Sequence, residues 1–269
     1  MRGVGQKGFR FMKRDKRKIY VSTDLEGVSG VWRFAQTRDR TSPFYAQAVE
    51  YLMGDIAALV QGLRGEGVSK IVVSDGHGGG NNFLPHLMEP GASYVTGQPR
   101  KSMEGLDKSF DAVILLGYHA MKGTPDGVLN HTQNSIREIR YWYNGRESGE
   151  IAQTALVAGS MGIPIIMVTG DVATCREAKR FLGRNVVTVA TKRGISREAA
   201  ELFPFQETRL AISEGARRAL SALAVCKPYR LRMPIQCKRE WIECSERPSE
   251  TRVMVREASV RDVTKICTF

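Results

Sequence analysis

The chain has 269 residues, of which 42% are hydrophobic and 25% are charged, a composition typical of a folded globular protein. Its formal net charge is +12, and no apolar run approaches the roughly 18–20 residues that a membrane-spanning helix needs. No apolar signal segment follows the basic start, and the five cysteines include no C-x-x-C pair. We therefore expect a cytoplasmic protein with reduced thiols and no membrane partner.

Residues 1–17 form a strongly basic leader. They carry seven Lys or Arg against Asp15, so this stretch contributes 7 − 1 = +6, half of the net charge. Gly and Arg are mixed there with little periodicity, which predicts a disordered arm. Such an arm could bind nucleic acid or an anionic surface, or it could be an extension with no role, which we favour. The other +6 is scattered along the chain, which argues against a dedicated nucleic-acid groove.

The first predicted strand, residues 19–21, ends in two closely spaced carboxylates. Asp24 and Glu26 follow this apolar run with one residue between them, and Gly27 and Gly30 come next. In α/β proteins the carboxyl ends of the strands are where ligand sites are usually built. Two acids on glycine-loosened backbone can both reach one divalent cation there.

Two further predicted strands also end in possible metal ligands. A helix over residues 44–64 leads to a strand over 68–74, which runs into Asp75 and His77. The strongest buried strand, residues 111–119, has five apolar residues in a row and delivers His119 at its end. A loop then leads to His131, and a helix over 148–161, capped by Ser148, has Glu150 in its first turn.

The remaining elements alternate between strand and helix up to about residue 190. We expect a short helix over 85–90, strands over 92–96 and 136–143, a turn at 144–145, a strand over 164–169, a helix over 172–182, a strand over 186–190, a basic loop over 192–197, and mostly helix over 198–223, interrupted by Pro204. Residues 229–237 and 251–256 read as antiparallel strands.

This alternation predicts an α/β fold, a layered α/β/α core with a largely parallel sheet plus a smaller C-terminal α+β subdomain. We place the metal-binding catalytic domain at residues 18–197 and the helical and antiparallel-strand subdomain at residues 198–269, after the arm at 1–17.

Five candidate ligands, two imidazoles and three carboxylates, fall at strand ends or a helix N-terminus. They are Asp24, Glu26, His77, His119 and Glu150. A mixed nitrogen and oxygen set suits zinc better than magnesium or calcium. Five ligands exceed the three of a single catalytic zinc and suit a two-metal site with one bridging carboxylate.

Metal-assisted hydrolysis is the chemistry that such a site predicts, and two alternatives stay open. A metal-dependent phosphoesterase would need anion-binding cations near the metals, for which Lys192, Arg193 and Arg197 are the candidates. A non-enzymatic nucleic-acid binder would act through the basic arm, and we favour it least.

The chain resembles the M55 family of zinc-dependent D-aminopeptidases. The resemblance covers residues 18 to about 200, and its motifs are Asp24-Leu-Glu-Gly-Val-Ser-Gly30, Ser74-Asp-Gly-His77 with Asn81-Asn82 behind it, Met103-Glu-Gly-Leu106, Leu116-Gly-Tyr-His-Ala120 and Gly149-Glu150. It implies two zinc ions held by Asp24, Glu26, His77, His119 and Glu150, with Asp24 bridging, and a catalytic role for His131.

The same resemblance implies the substrate class and the assembly. The substrates would be short peptides that lose an N-terminal residue, with preference for D-amino acids. The assembly would be a ring-like homo-oligomer, a decamer in the family's type member. His131 has no Ser or Cys partner nearby in sequence, so a proton shuttle or an oxyanion stabiliser is more economical than a nucleophile.

Overall fold

The computed structural model describes residues 17–243 and 251–269, so the predicted basic arm lies outside the described residues except for Arg17. The strands are β1 (Lys18–Thr23), β2 (Lys70–Asp75), β3 (Ser93–Val95), β4 (Ala112–Leu116), β5 (Arg140–Tyr143), β6 (Arg146–Glu147), β7 (Ile165–Asp171), β8 (Val187–Ser196), β9 (Ala199–Leu202), β10 (Ile235–Glu243) and β11 (Arg252–Val260). The helices are α1 (Pro43–Gly65), α2 (Glu150–Ser160), α3 (Val172–Leu182) and α4 (Phe205–Ala222).

Seven strands form the main sheet in the order β3-β2-β1-β4-β7-β8-β9. Every pair is parallel except β8 with β9. All five residues of β4 are buried, as expected for a central strand that is covered on both faces. The carboxyl ends of β1, β2 and β4 therefore meet at one edge of the sheet.

Helices cover both faces of this sheet. Alternate strand residues such as Val21 and Ile114 pack with α1 and α4, while their neighbours Tyr20 and Val113 pack with α2 and α3. This period of two sorts the strand side chains into two separate hydrophobic clusters. The predicted three-layer α/β core is confirmed.

A second, antiparallel sheet has the order β11-β10-β5-β6. Its core includes Tyr141, Tyr143, Ile235 and Cys237. It combines strands from residues 140–147 with strands from residues 235–260, while α4 packs on α1 of the main domain. The division of the chain into residues 18–197 and 198–269 stays a prediction.

Three local predictions are wrong. Residues 192–196 are not a loop, because β8 continues to Ser196 and pairs with β9. The helix expected from residue 198 starts at Phe205, since residues 199–202 form β9. Ser148 does not cap α2: Gly149 is the N-cap residue, and the Ser148 hydroxyl donates to the carbonyl oxygen of Arg146.

Among the described residues, no helix is both long enough and apolar enough to cross a membrane.

Candidate metal centre

The structure brings all five predicted ligands and His131 together at the carboxyl edge of the parallel sheet. Asp24 and Glu26 follow β1, His77 follows β2, His119 follows β4, and Glu150 opens α2. Asp24, Glu26, His119 and His131 are buried, and the other two are only partly exposed. Residues separated by more than 120 positions thus share one cluster because parallel strands end side by side.

Short imidazole–carboxylate distances connect the six side chains. Nε2 of His77 lies 3.3 Å from Oε1 of Glu26. Nε2 of His119 lies 3.4 Å from both Oδ2 of Asp24 and Oε1 of Glu150. The ring of His131 stacks on the ring of His119 with 4.0 Å between centroids, and its Nε2 lies 3.9 Å from Oε1 of Glu150.

The histidine rings are oriented from behind by backbone carbonyl groups. Nδ1 of His119 donates to the carbonyl oxygen of Ala120 at 3.0 Å, and Nδ1 of His131 donates to that of Leu129 at 2.8 Å. These bonds select the tautomer in which Nε2 carries a lone pair. A metal-binding histidine commonly has such a partner on its other nitrogen.

The loop that carries His77 is held in place by three residues outside the predicted ligand set. Asn82 donates to the carbonyl oxygen of His77 at 2.8 Å and to Oδ1 of Asp75 at 2.8 Å. The Tyr45 hydroxyl, on α1, donates to Oδ1 of Asn82 and lies 3.5 Å from Nδ1 of His77. Arg40 donates to two carbonyl oxygens of the glycine loop at 2.6 and 2.7 Å.

Lys192 supports the loop that carries Asp24 and Glu26. Its side chain is fully buried, and Nζ donates to the carbonyl oxygens of Glu26 and Val28 at 2.8 and 2.7 Å. Burial lowers the pKa of Lys192 to about 8, although Asp171 and Asp55 oppose this shift. Lys192 was predicted as a possible anion-binding cation, but its amine donates hydrogen bonds to backbone carbonyl groups inside the protein.

The other two predicted cations are also engaged elsewhere. Arg193 pairs with Glu201 at 2.7 Å on the exposed β8–β9 hairpin, and Arg197 pairs with Glu138 at 2.9 Å. None of the three is available as the anion-binding cluster that the phosphoesterase alternative required.

Burial and mutual repulsion strongly perturb the cluster. Burial, together with the neighbouring Glu26 carboxylate, raises the pKa of Asp24 well above its usual range. Burial alone would raise the pKa of Glu26 as well, but His77 holds it well below its usual range. Burial similarly opposes ionisation of Glu150, yet His119 lowers the pKa of Glu150 to about 2. The carboxylates therefore depend on nearby positive charge.

The imidazoles divide into two kinds. Burial alone would lower the pKa of His77, but Glu26 raises it to about 9. Burial would also lower the pKa of His119, but Glu150 and Asp24 raise it well above its usual value. Burial and the neighbouring His119 instead lower the pKa of His131 to about 4. Without a metal, the protonated imidazoles of His77 and His119 balance the negative charge of the carboxylates, while His131 stays neutral at neutral pH.

The residues fit a metal centre. Asp24, Glu26 and His119 form one group of possible ligands, and His119, His131 and Glu150 form a second. Oε2 of Glu26 and Nε2 of His119 are buried without a hydrogen-bond partner. Buried polar atoms normally have partners, and a divalent cation would satisfy both atoms and neutralise the carboxylates.

A cavity of about 490 Å³ opens above the cluster. Asp24, Glu26, His77, His131 and Glu150 all face it. Its volume is in the range typical of small-molecule sites.

A layered α/β fold with buried imidazoles and carboxylates at its strand ends, beneath an open cavity, is the arrangement of a metal-dependent hydrolase. Residues 17–265 match the Peptidase_M55 family model, described as D-aminopeptidase. The chain therefore belongs to the M55 peptidase family and is a metallo-aminopeptidase, as the sequence motifs predicted.

A sequence match and a structural match agree with this assignment. The chain is 33% identical over 205 residues to a D-aminopeptidase of Bacillus subtilis (strain 168), covering 74% of this chain and 72% of that protein. The solved structure of "Zn-dependent D-aminopeptidase DppA from Bacillus subtilis, a self-compartmentalizing protease" superposes with a TM-score of 0.82 at 26% identity. That similarity covers 93% of each chain.

Proposed function

We propose that the chain is a dinuclear zinc aminopeptidase that removes N-terminal D-residues from short peptides. The observation that carries this proposal is the six-residue cluster, in which one imidazole–carboxylate set continues into a second through His119. One metal needs about three protein ligands, so this number of donors suits two ions.

The predicted ligands keep their roles in this proposal. Asp24, which contacts the shared residue His119, would bridge the ions, and Glu26, His77, His119 and Glu150 would complete the two sets. Zinc suits these mixed donors, and the solved relative is described as Zn-dependent. The chemistry that such ions supply is Lewis-acid activation of water and of the scissile carbonyl group.

His131 is proposed to move the proton. Its Nδ1 is occupied by the carbonyl oxygen of Leu129, so Nε2 is the atom that faces the cluster with a free lone pair. Burial and the neighbouring His119 lower its pKa to about 4, so the ring is neutral at neutral pH and Nε2 carries a lone pair. We therefore favour a shuttle that takes a proton from the attacking water and delivers it to the leaving amine.

Restriction to N-terminal residues follows from the charges of the site. The α-amine of a peptide can coordinate a metal ion, or it can form an ion pair with a carboxylate. Glu150 and Glu26 are carboxylates that face the cavity. An internal peptide bond offers no such group. The preference for D-residues is proposed on the description of the family and of both relatives.

Self-association is proposed on the description of the solved relative as a self-compartmentalizing protease. A ring that encloses the active sites, a decamer among the possible sizes, would restrict access to short peptides. Sedimentation of the purified protein should give a mass several times that of one chain, and a monomer would contradict this part of the proposal.

Metal analysis combined with a substrate screen tests the proposed function. The purified protein should contain about two zinc ions per chain and should cleave dipeptides with an N-terminal D-residue faster than their L-counterparts. Asp24→Ala should lose both ions together, because Asp24 bridges them. Near-full metal content in Asp24→Ala would contradict the bridge, and cleavage of phosphate esters alone would contradict the peptidase.

A further inference from the structure

Four cations line the cavity above the metal centre: Arg38, Arg40, Arg100 and Lys101. Within residues 17–243 and 251–269, none of them forms an ion pair with a carboxylate, although ion pairs occur at many other places in the molecule. The carboxylates of the cavity belong to the metal cluster. Cations in this position favour a ligand that carries a negative charge of its own.

Two of the four cations have structural tasks. Arg40 holds the glycine loop after His77 through the carbonyl oxygens of Gly78 and Gly80. Arg38 donates to the hydroxyl and the carbonyl oxygen of Ser135 at 2.9 and 2.7 Å. These side chains shape the walls of the cavity.

Arg100 and Lys101 are engaged less. Nε of Arg100 donates to the carbonyl oxygen of Gly97 at 3.0 Å, and Nη1 makes only a long contact of 3.4 Å with the Ser74 hydroxyl. Across the described part of the chain, Nζ of Lys101 has no hydrogen-bond or ion-pair partner. A ligand can therefore bind the cations of these two consecutive residues while disrupting few existing hydrogen bonds.

The contact of Arg100 with Ser74 relates Arg100 to the metal cluster through the register of β1 and β2. Ser74, which Arg100 contacts, pairs with Ser22 of β1, and Asp24 follows two residues later. Neighbouring strands lie about 4.8 Å apart and each residue advances about 3.3 Å, so the backbones of Ser74 and Asp24 are roughly 7–10 Å apart. An extended chain spans about 3.5 Å per residue, so a dipeptide or tripeptide covers this distance.

We propose that Arg100, with Lys101 beside it, binds the C-terminal carboxylate of a dipeptide or tripeptide whose first residue lies at the metal centre. The inference rests on the proposed function and adds a specificity determinant to it. A guanidinium group can bind a carboxylate through two parallel hydrogen bonds, and the neighbouring ammonium adds a second positive charge. The enzyme then selects short peptides with a free C-terminus and discriminates against their amides.

The test compares D-alanylglycine with D-alanylglycine amide, which share the same scissile bond. Wild-type enzyme should cleave the free acid with a kcat/KM about 10- to 100-fold higher than that of the amide, the effect expected for one charged hydrogen-bonded contact. Most of the difference should appear in KM. Arg100→Gln should bring the ratio close to one, and Arg100→Lys should give an intermediate ratio.

Matched variants keep the test independent of folding and metal loading. The ratio within one protein cancels a general loss of active enzyme, and zinc content is measured on every variant. Lys101→Met changes an exposed side chain and should reduce the ratio by up to about fivefold. Arg193→Gln, on the exposed hairpin away from the cavity, should keep the wild-type ratio.

The outcomes separate the two proposals. Equal cleavage of acid and amide by wild-type enzyme would overturn the carboxylate site and leave the peptidase intact. An Arg100→Gln variant with the wild-type ratio would overturn the role of Arg100. Failure of the zinc-loaded wild-type enzyme to cleave either compound, or any other dipeptide, would overturn the proposed function and the carboxylate site with it.

Discussion

His131 is the residue whose role depends most on its immediate surroundings. It stacks on the predicted ligand His119 at 4.0 Å, so position alone does not separate a ligand from a proton shuttle. If His131 is the shuttle, His131→Ala should keep its zinc and lose about 10²- to 10⁴-fold in kcat, the range for one acid–base group. Zinc content and kcat are measured at matched zinc concentration.

The matched variant for this experiment is His119→Ala. His119 contacts both Asp24 and Glu150, so its removal should first lower zinc content, and added zinc should restore part of the activity. Loss of zinc from His131→Ala to the same extent would make His131 a ligand. Retention of both zinc and activity would show that His131 is neither a ligand nor a catalytic residue.

Glu177 is a buried acid next to the site that should make stability depend on pH. Its Oε2 accepts from the backbone N–H of Met121 at 2.7 Å, while Oε1 has no hydrogen-bond partner. Burial raises its pKa from 4.5 to about 7. Between these pH values the folded state binds more protons than the unfolded state, so the free energy of unfolding falls as the pH rises.

Replacing Glu177 with the neutral Gln should remove this fall. At about 1.4 kcal/mol per pKa unit, the free energy of unfolding of Glu177→Gln should rise relative to that of wild type by at most about 3 kcal/mol between pH 4.5 and pH 7. Urea unfolding across this range measures the difference, and groups common to both proteins cancel. An unchanged difference between pH 5 and pH 8 would show that Glu177 titrates normally; the exposed Glu201→Gln variant is the control.

At the scale of elements, the positions of the ligands could be predicted because they depend on local patterns. Short apolar runs such as β1 and β4 identify buried parallel strands, and such strands end on one edge of the sheet. That reasoning placed Asp24 and His119 together without knowledge of their contacts. The resemblance to a family supplied the role of His131, which its sequence neighbours do not indicate.

What could not be predicted depends on contacts between distant residues. Lys192 looks like part of a basic loop, but its amine is satisfied by carbonyl groups 164 and 166 positions earlier in the chain. That pairing allows a lysine to occupy a fully buried position in β8, whose last residues, 193–196, lie toward the surface. Asn82 and Tyr45 likewise support His77 through contacts that only the folded chain creates.

Gly27 allows two ligand-bearing loops to approach each other. Its N–H donates to the carbonyl oxygen of Gly117 at 2.7 Å, and a Cβ atom at this position would overlap the carbonyl oxygen of Tyr118, next to His119. Gly27→Ala should therefore push the β1 and β4 loops apart. We expect a loss of zinc and about 1–3 kcal/mol of stability, the usual cost of overpacking.

Gly65→Ala is the matched control, because a Cβ atom at that end of α1 meets nothing within 4 Å. It should keep full zinc content and equal or higher stability, since alanine favours the helix. Zinc analysis and thermal unfolding of both variants make the comparison. Full zinc content in Gly27→Ala would show that the loops tolerate the separation.

At the scale of the whole molecule, much of the net positive charge is concentrated near the N-terminus, whereas the proposed catalytic residues come later in the sequence. Residues 1–16 contain six Lys or Arg and Asp15, so they contribute 6 − 1 = +5 and their removal leaves +7. Arg17 should be retained in a deletion. Its carbonyl oxygen accepts from both the N–H and the hydroxyl of Ser69, and Nη1 donates to the carbonyl oxygen of Leu220.

A chain without residues 1–16 should therefore cleave peptides at the wild-type rate, because every proposed ligand and every described residue that lines the cavity lies after Arg17. Any binding of the full chain to nucleic acid should weaken steeply with salt, because it depends on displacing counterions from phosphates. Deletion should abolish that binding. A full-length variant with the six cations replaced by Gln should behave in the same way, which separates charge from chain length. If DNA affinity were unchanged in both variants, the binding surface would belong to the folded domain; if peptidase activity were lost in both, the cations of the arm would contribute to catalysis.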